Sequence, residues 1–329
     1  MEPLPPSPAP SEPPAAPVST ARRPIGHPLF RSLLFLVVFV IAQVIATALL
    51  YLIALALGRE KILQGGGMGE LGEGFLLSFA LTAPPLILMT WAFVRYLDRR
   101  DLASLGARWP AGGRSVALRQ ALTVPLATLG FLGLWLALAA AVSEVRFGGL
   151  SEEFQTGPSG WPGETGSVAF LALLLLGFLI QGGVEEWVVR GYIYRALKER
   201  WRWWVSALAS SLLFSLMHIF NPDVSWVALV NIVLAGVILA LLVERSGSLW
   251  GAVLAHGVWN FAVACLLSLP VSGIRMFRLL DLSIEGEGLL TGGKFGPEGS
   301  LLLTLLGLLL IAALWPRGRG AMNGAPARL

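Results

Sequence analysis

A few ionisable and carboxamide residues in the second half of the chain have types and spacings that could do chemistry. Glu185, Glu186 and Arg190 lie in Gly182-Gly183-Val184-Glu185-Glu186-Trp187-Val188-Val189-Arg190-Gly191, Phe214 and His218 in Phe214-Ser215-Leu216-Met217-His218, and His256 and Asn260 in His256-Gly257-Val258-Trp259-Asn260. On a helix, Glu186 and Arg190 share a face and can form an ion pair, and His256 and Asn260 share a face in the same way. Glu185 lies about 100° around the helix from Glu186. Each motif has a plain structural reading: a buried ion pair for Glu186 and Arg190, a packing residue for His218, helix–helix glue for Asn260. Together, a carboxylate, two imidazoles and a carboxamide suit hydrolysis. A glutamate can take a proton from water, and histidine and asparagine can donate to the oxyanion of a tetrahedral intermediate. No serine–histidine pair stands four apart in these segments, and Cys265 lacks an obvious base, so activated water is expected in preference to a covalent acyl-enzyme.

The elements that must position these residues are membrane helices. Charged residues make up 13% of the chain and hydrophobic ones 55%, against about 25% charged in an ordinary soluble domain. The apolar residues lie in long blocks, and a bilayer core needs about 20 of them per helix. About eight such blocks are present, near 31–57, 75–97, 117–142, 167–197, 203–221, 226–243, 248–269 and 300–315. The expected fold is therefore all-α and polytopic, with about eight transmembrane helices around a central polar cavity. Pro84 and Pro85 should kink the second span, since each lacks an amide hydrogen. The single cysteine excludes a disulfide framework or a thiolate zinc site. Residues 1–27 are rich in Pro, Ala and Ser and read as a disordered cytoplasmic tail, leaving 28–329 as the helical domain.

Depth draws the motifs together. At ~1.5 Å per residue, Glu185 stands ~18 Å above the cytoplasmic end of its span, His218 ~22 Å above the start of the fifth, and His256 and Asn260 ~12 and ~18 Å above the start of the seventh. An ionisable group at that depth costs at least ~2.5–3.5 kcal/mol, so it should face the protein interior. Of the three histidines, only His27 lies outside the membrane. Orientation follows from the basic residues. Arg22, Arg23 and Arg31 precede the first span, Arg99, Arg100, Arg108 and Arg114 follow the second, Arg195, Lys198, Arg200 and Arg202 follow the fourth, and Arg317 and Arg319 follow the last. The connection 143–166 holds Glu144, Glu152, Glu153 and Glu164 but only Arg146. Alternate connections are thus basic, which places both termini in the cytoplasm of a plasma-membrane protein. The net charge of +4 reports this topology and gives no reason to expect a nucleic-acid partner.

Taken in order, Glu185-Glu186 with Arg190, Phe214 with His218, and His256 with Asn260 resemble the EExxxR, FxxxH and HxxxN motifs of the CPBP family, which includes the CAAX prenyl protease type 2 and Abi-like intramembrane endopeptidases. The likeness covers about 167–267. Ser246-Gly247-Ser248-Leu249-Trp250 and Leu105-Gly106-Ala107-Arg108 also look like segments of that family. Val184 and Val189 depart from it, standing where proline and an aromatic residue are frequent. The resemblance implies an intramembrane endopeptidase acting on a membrane-anchored or lipidated, CAAX-type substrate. Glu185 would be the base, His218 its assistant, His256 and Asn260 the oxyanion donors, and Glu186, Arg190 and Phe214 the support. No cofactor is favoured. A zinc-dependent version would take Glu185, His218 and His256 as ligands, but no HExxH pair is present. A transporter or scaffold is the reading from another class; the internal repeat common in transporters is not apparent.

Overall fold

The computed structural model describes residues 24–56, 68–110, 112–158 and 161–316. The segment 1–23, which holds most of the expected tail together with Arg22 and Arg23, and the segment carrying Arg317 and Arg319 lie outside the described residues. Each expected apolar block is a helix: α1 Pro28–Ala56, α2 Met68–Ala92, α3 Gly113–Val142, α4 Gly163–Leu197, α5 Trp203–Leu216, α6 Trp226–Ser246, α7 Trp250–Leu266 and α8 Leu301–Leu314. Five helices (α1 to α4 and α6) are long and apolar enough to cross a membrane; α5, α7 and α8 are shorter apolar helices. Pro84 and Pro85 both lie inside α2, which runs through them.

The membrane explains what the surface exposes. Val37, Val40, Ile41, Val44 and Ile45 of α1 all face outward, an apolar strip that water would not tolerate on a soluble monomer. Exposed aromatic residues mark both ends of the bundle: Trp109, Trp204 and Trp250 beside the basic connections, and Phe147, Phe220 and Trp226 at the other end. Such residues favour the headgroup boundary. The chain is an integral membrane protein.

Alternate connections meet at opposite ends. At the basic end, Arg31 pairs with Asp98 and Glu199, Arg100 pairs with Glu199, and Lys198 pairs with Glu244. Here also the two segments singled out by the resemblance touch: Leu249 N donates to Gly106 O at 3.0 Å and Ser248 Oγ to Arg108 O at 2.8 Å. Gly247, at φ 67°, ends α6 in the left-handed conformation and lets the chain turn sharply into α7.

The opposite end carries an element absent from an all-α expectation. Residues Glu144–Leu150 (β1) and Leu280–Glu285 (β2) form a two-stranded antiparallel sheet, with Glu144 opposite Glu285 and Phe147 opposite Leu282. Half-buried Leu280, Leu282 and Ile284 alternate with exposed Asp281, Ser283 and Glu285, the period of a strand with one covered face. Beside the sheet, Glu153 meets Arg278. Burial pushes the Glu153 carboxyl above the usual carboxylate range, opposed by the Arg278 amide and guanidinium.

Two large apolar clusters fill the interior. One joins α3, α4, α7 and the segment around Phe277; the other joins α1, α2, the end of α4 and α5. The motif-bearing stretch of α4 lies where they meet.

Candidate active site

The contact between α4 and α7 is close because two glycines allow it. A Cβ on Gly182 would stand 3.0 Å from Gly257 N, and one on Gly257 would stand 2.9 Å from both Leu179 Cα and Phe178 O. Small residues let helix backbones approach in this way inside membranes. The approach sets His256, one residue before Gly257, against the two glutamates of α4.

His256 bridges that pair. Its Nδ1 lies 3.0 Å from Glu186 Oε1, and its Nε2 lies 3.6 Å from Glu185 Oε2. Glu186 Oε1 also accepts from Arg190 Nη1 at 2.9 Å, and both side chains of this ion pair are fully buried. Arg190 sits in a stretch of wider π-helical turns, Trp187–Ile193, immediately after the glutamates. Such turns are frequent at functional sites. Its guanidinium lies over the Phe214 ring, 4.9 Å from the centroid, and a Cβ on Gly236 would stand 2.8 Å from Arg190 Nη2. Gly236 is thus the space into which the arginine fits.

Glu185 is held from its own helix. Gln181, one turn earlier, donates from Nε2 to Glu185 Oε1, and Gln181 Oε1 accepts from Asn260 Nδ2 at 2.9 Å. Glu185 Oε2 is buried and has no hydrogen-bond partner among the described residues. Gln181 was not among the residues singled out in the sequence. Its position four before Glu185 was the available signal, and an uncharged amide does not stand out in a search for ionisable groups.

His218 is placed differently from expectation. The fifth helix does not continue to 221; it ends at Leu216, and His218 lies in the turn that follows. The chain tightens there, with His218 N donating to Ser215 O at 3.0 Å, before Asn221-Pro222 and Asp223 at φ 53° redirect it. The His218 ring uses Nδ1 to bond Phe214 O at 2.9 Å. Phe214 stands between the histidines, edge-on to both, with ring centroids 4.7 Å from His218 and 6.0 Å from His256. His218 therefore adjoins the group through Phe214.

Gln181, Glu185, Phe214, His218, His256 and Asn260 all line one cavity of about 1000 Å³. Most of its other lining side chains are apolar, and a further polar group around Asn231, Ser272 and Glu298 lines the same cavity. Among the described residues, no three His, Cys, Asp or Glu side chains are grouped so that they could hold a metal ion.

A helical membrane protein with a carboxylate, an imidazole and a carboxamide joined across two helices on a cavity wall is the class that fold and site define. Residues 167–262 match the family model described as Type II CAAX prenyl endopeptidase Rce1-like. The matched segment begins in α4 and ends in α7, and it contains the EExxxR, FxxxH and HxxxN motifs read from the sequence. It is under a third of the chain. No curated protein and no solved structure gives a significant match.

Proposed function

We propose that the chain is an intramembrane endopeptidase that hydrolyses a peptide bond of a membrane-anchored substrate with water activated by Glu185. The observation that carries the reading is the buried Glu185 Oε2, without a hydrogen-bond partner among the described residues, beside His256 on the cavity wall. Oε1 already accepts from Gln181, whereas Oε2 faces His256 with no donor on it among the described residues, which makes Oε2 the better placed oxygen to receive a proton from water. His256 Nδ1 faces a carboxylate whose charge Arg190 balances, so that nitrogen carries a hydrogen. Neutral His256 would then turn a second acceptor, Nε2, toward Glu185 Oε2. At 3.6 Å a water fits this arrangement better than a direct hydrogen bond. When His256 carries a second proton, its Nε2 becomes a donor for the oxyanion, and the amide hydrogen of Asn260 that Gln181 does not use is another. His218 commits Nδ1–H to a backbone carbonyl, which leaves Nε2 as an acceptor to orient the water.

The match of 167–262 supports a peptide as substrate, and the apolar cavity suits one delivered from the bilayer. A prenylated, CAAX-type protein is the narrower form of the proposal. The alternation of basic connections supports an orientation with both termini in the cytoplasm of the plasma membrane and the catalytic carboxylate reached from that side.

The test is cleavage of a fluorogenic, membrane-anchored peptide by the full chain in proteoliposomes, with prenylated and unprenylated forms compared. Glu185→Gln should lower the rate by at least about 100-fold, the scale of a lost general base. Equal cleavage by wild type and variant would sink the assignment. Equal cleavage of the two peptides would remove the prenyl requirement alone.

A further inference from the structure

We infer that Gln181 is a positioning residue of this site, fixing which oxygen of Glu185 acts as base and which way the Asn260 carboxamide faces. The inference rests on the hydrolytic reading and deepens it. A carboxylate can only accept hydrogen bonds, so ionised Glu185 requires Gln181 to present its NH₂ group to Oε1. The Gln181 carbonyl must then face Asn260, which must in turn present its own NH₂ group. Turning either amide over would set donor against donor or acceptor against acceptor. The charge on Glu185 thereby orients a group on another helix, two side chains away.

Two consequences follow for the reaction. The Gln181 donor holds Oε1 in place while Oε2 stands beside His256 with no donor on it among the described residues, so the attacking water gives its proton to Oε2 while its oxygen bonds to the scissile carbonyl carbon and the carbonyl π pair moves onto oxygen. Oε1 remains an acceptor after that transfer, so Gln181 need not turn and the Asn260 amide stays in place as the oxyanion forms. Donors that do not reorganise stabilise developing charge best. On collapse, the C–N bond breaks and the proton on Oε2 passes to the leaving amine. The plainer reading of Gln181 is an i,i+4 partner of Glu185 that supports its own helix by a few tenths of a kcal/mol. That reading leaves the bond to Asn260, on α7, and the place of all three side chains on the cavity wall without a role.

The inference is tested on the full chain in proteoliposomes with two variants of similar volume, Gln181→Met and Gln181→Glu, their melting followed alongside. Gln181→Met removes both hydrogen bonds. Its kcat should fall roughly 10- to 100-fold, the scale of a lost charge-assisted hydrogen bond, with KM within about twofold. Gln181→Glu can donate to Glu185 only while the two carboxyls share a proton, so its activity should be confined to lower pH than that of wild type. If the kcat of Gln181→Met and the pH profile of Gln181→Glu both stay at wild-type values, the inference is overturned. A rise in KM alone also overturns it, marking a substrate contact. An inert Glu185→Gln beside an unaltered Gln181→Met removes this inference and leaves the hydrolytic reading, whereas a fully active Glu185→Gln removes both.

Discussion

Glu186 is a buried anion whose Oε1 receives both Arg190 and His256, while its Oε2 has no hydrogen-bond partner among the described residues. It does more than close an ion pair along one helix, because it fixes the ring of the histidine that faces Glu185. Replacing it separates the two roles. Glu186→Gln keeps the volume and an acceptor but loses the charge, and cleavage should fall roughly tenfold or more, in line with the loss of a hydrogen bond to a charged group. Arg190→Leu leaves the Glu186 carboxylate buried without its arginine and with only the His256 hydrogen bond, which should lower stability by about 3 kcal/mol. Unfolding in detergent measures this, and a melting curve like that of wild type would refute the structural role of the pair. At this scale the sequence is legible where partners are near. The four-residue spacing of Glu186 and Arg190 predicts their contact. The bond from Glu186 to His256 crosses 70 positions and depends on how two helices pack, which no local spacing encodes.

Helices carry the next level, and the α4–α7 contact is the one on which the site depends. A methyl group on Gly257 would meet backbone atoms of α4, which cannot swing aside as a side chain can. Gly257→Ala should therefore push the helices apart, cost about 1–3 kcal/mol as overpacking does, and remove most cleavage, since misplacing reacting groups by about 1 Å can cost 100-fold. Gly133→Ala in α3 is the control: a Cβ there meets nothing within 4 Å, so stability should be unchanged or raised by up to about 1 kcal/mol through helix propensity. Cleavage by Gly257→Ala at the wild-type rate would show that the close approach is dispensable. The apolar blocks announced the helices and assigned the three motifs to the fourth, fifth and seventh of them. The end of α5 was less legible, because Leu216-Met217-His218-Ile219-Phe220 stays apolar past the point where the helix stops. The sheet was missed although β2 alternates strictly, since β1 and β2 lie more than 100 residues apart and neither signals its partner.

For the whole molecule, composition foretells a bilayer and charge foretells which connections share a side. The ion pairs linking Arg31, Asp98, Arg100 and Glu199 bring the basic connections together, and the sheet with the Glu153–Arg278 pair gathers the others. How many helices cross fully is less legible. A 14-residue helix spans ~21 Å, short of a ~30 Å hydrocarbon core, so α5 and α8 depend on their neighbours or on local thinning to match the bilayer. The side on which the basic end lies is open to a direct test. Cys265 is buried, so the native chain should react slowly with a membrane-impermeant maleimide. Arg114, in the first turn of α3 beside a basic connection, and Glu152, in the connection of opposite kind, are both exposed. In intact cells Glu152→Cys should label at once, and Arg114→Cys only after the membrane is opened. The reverse pattern would place the basic connections outside, and substrates approaching the Glu185 cavity would then be sought on the outer face.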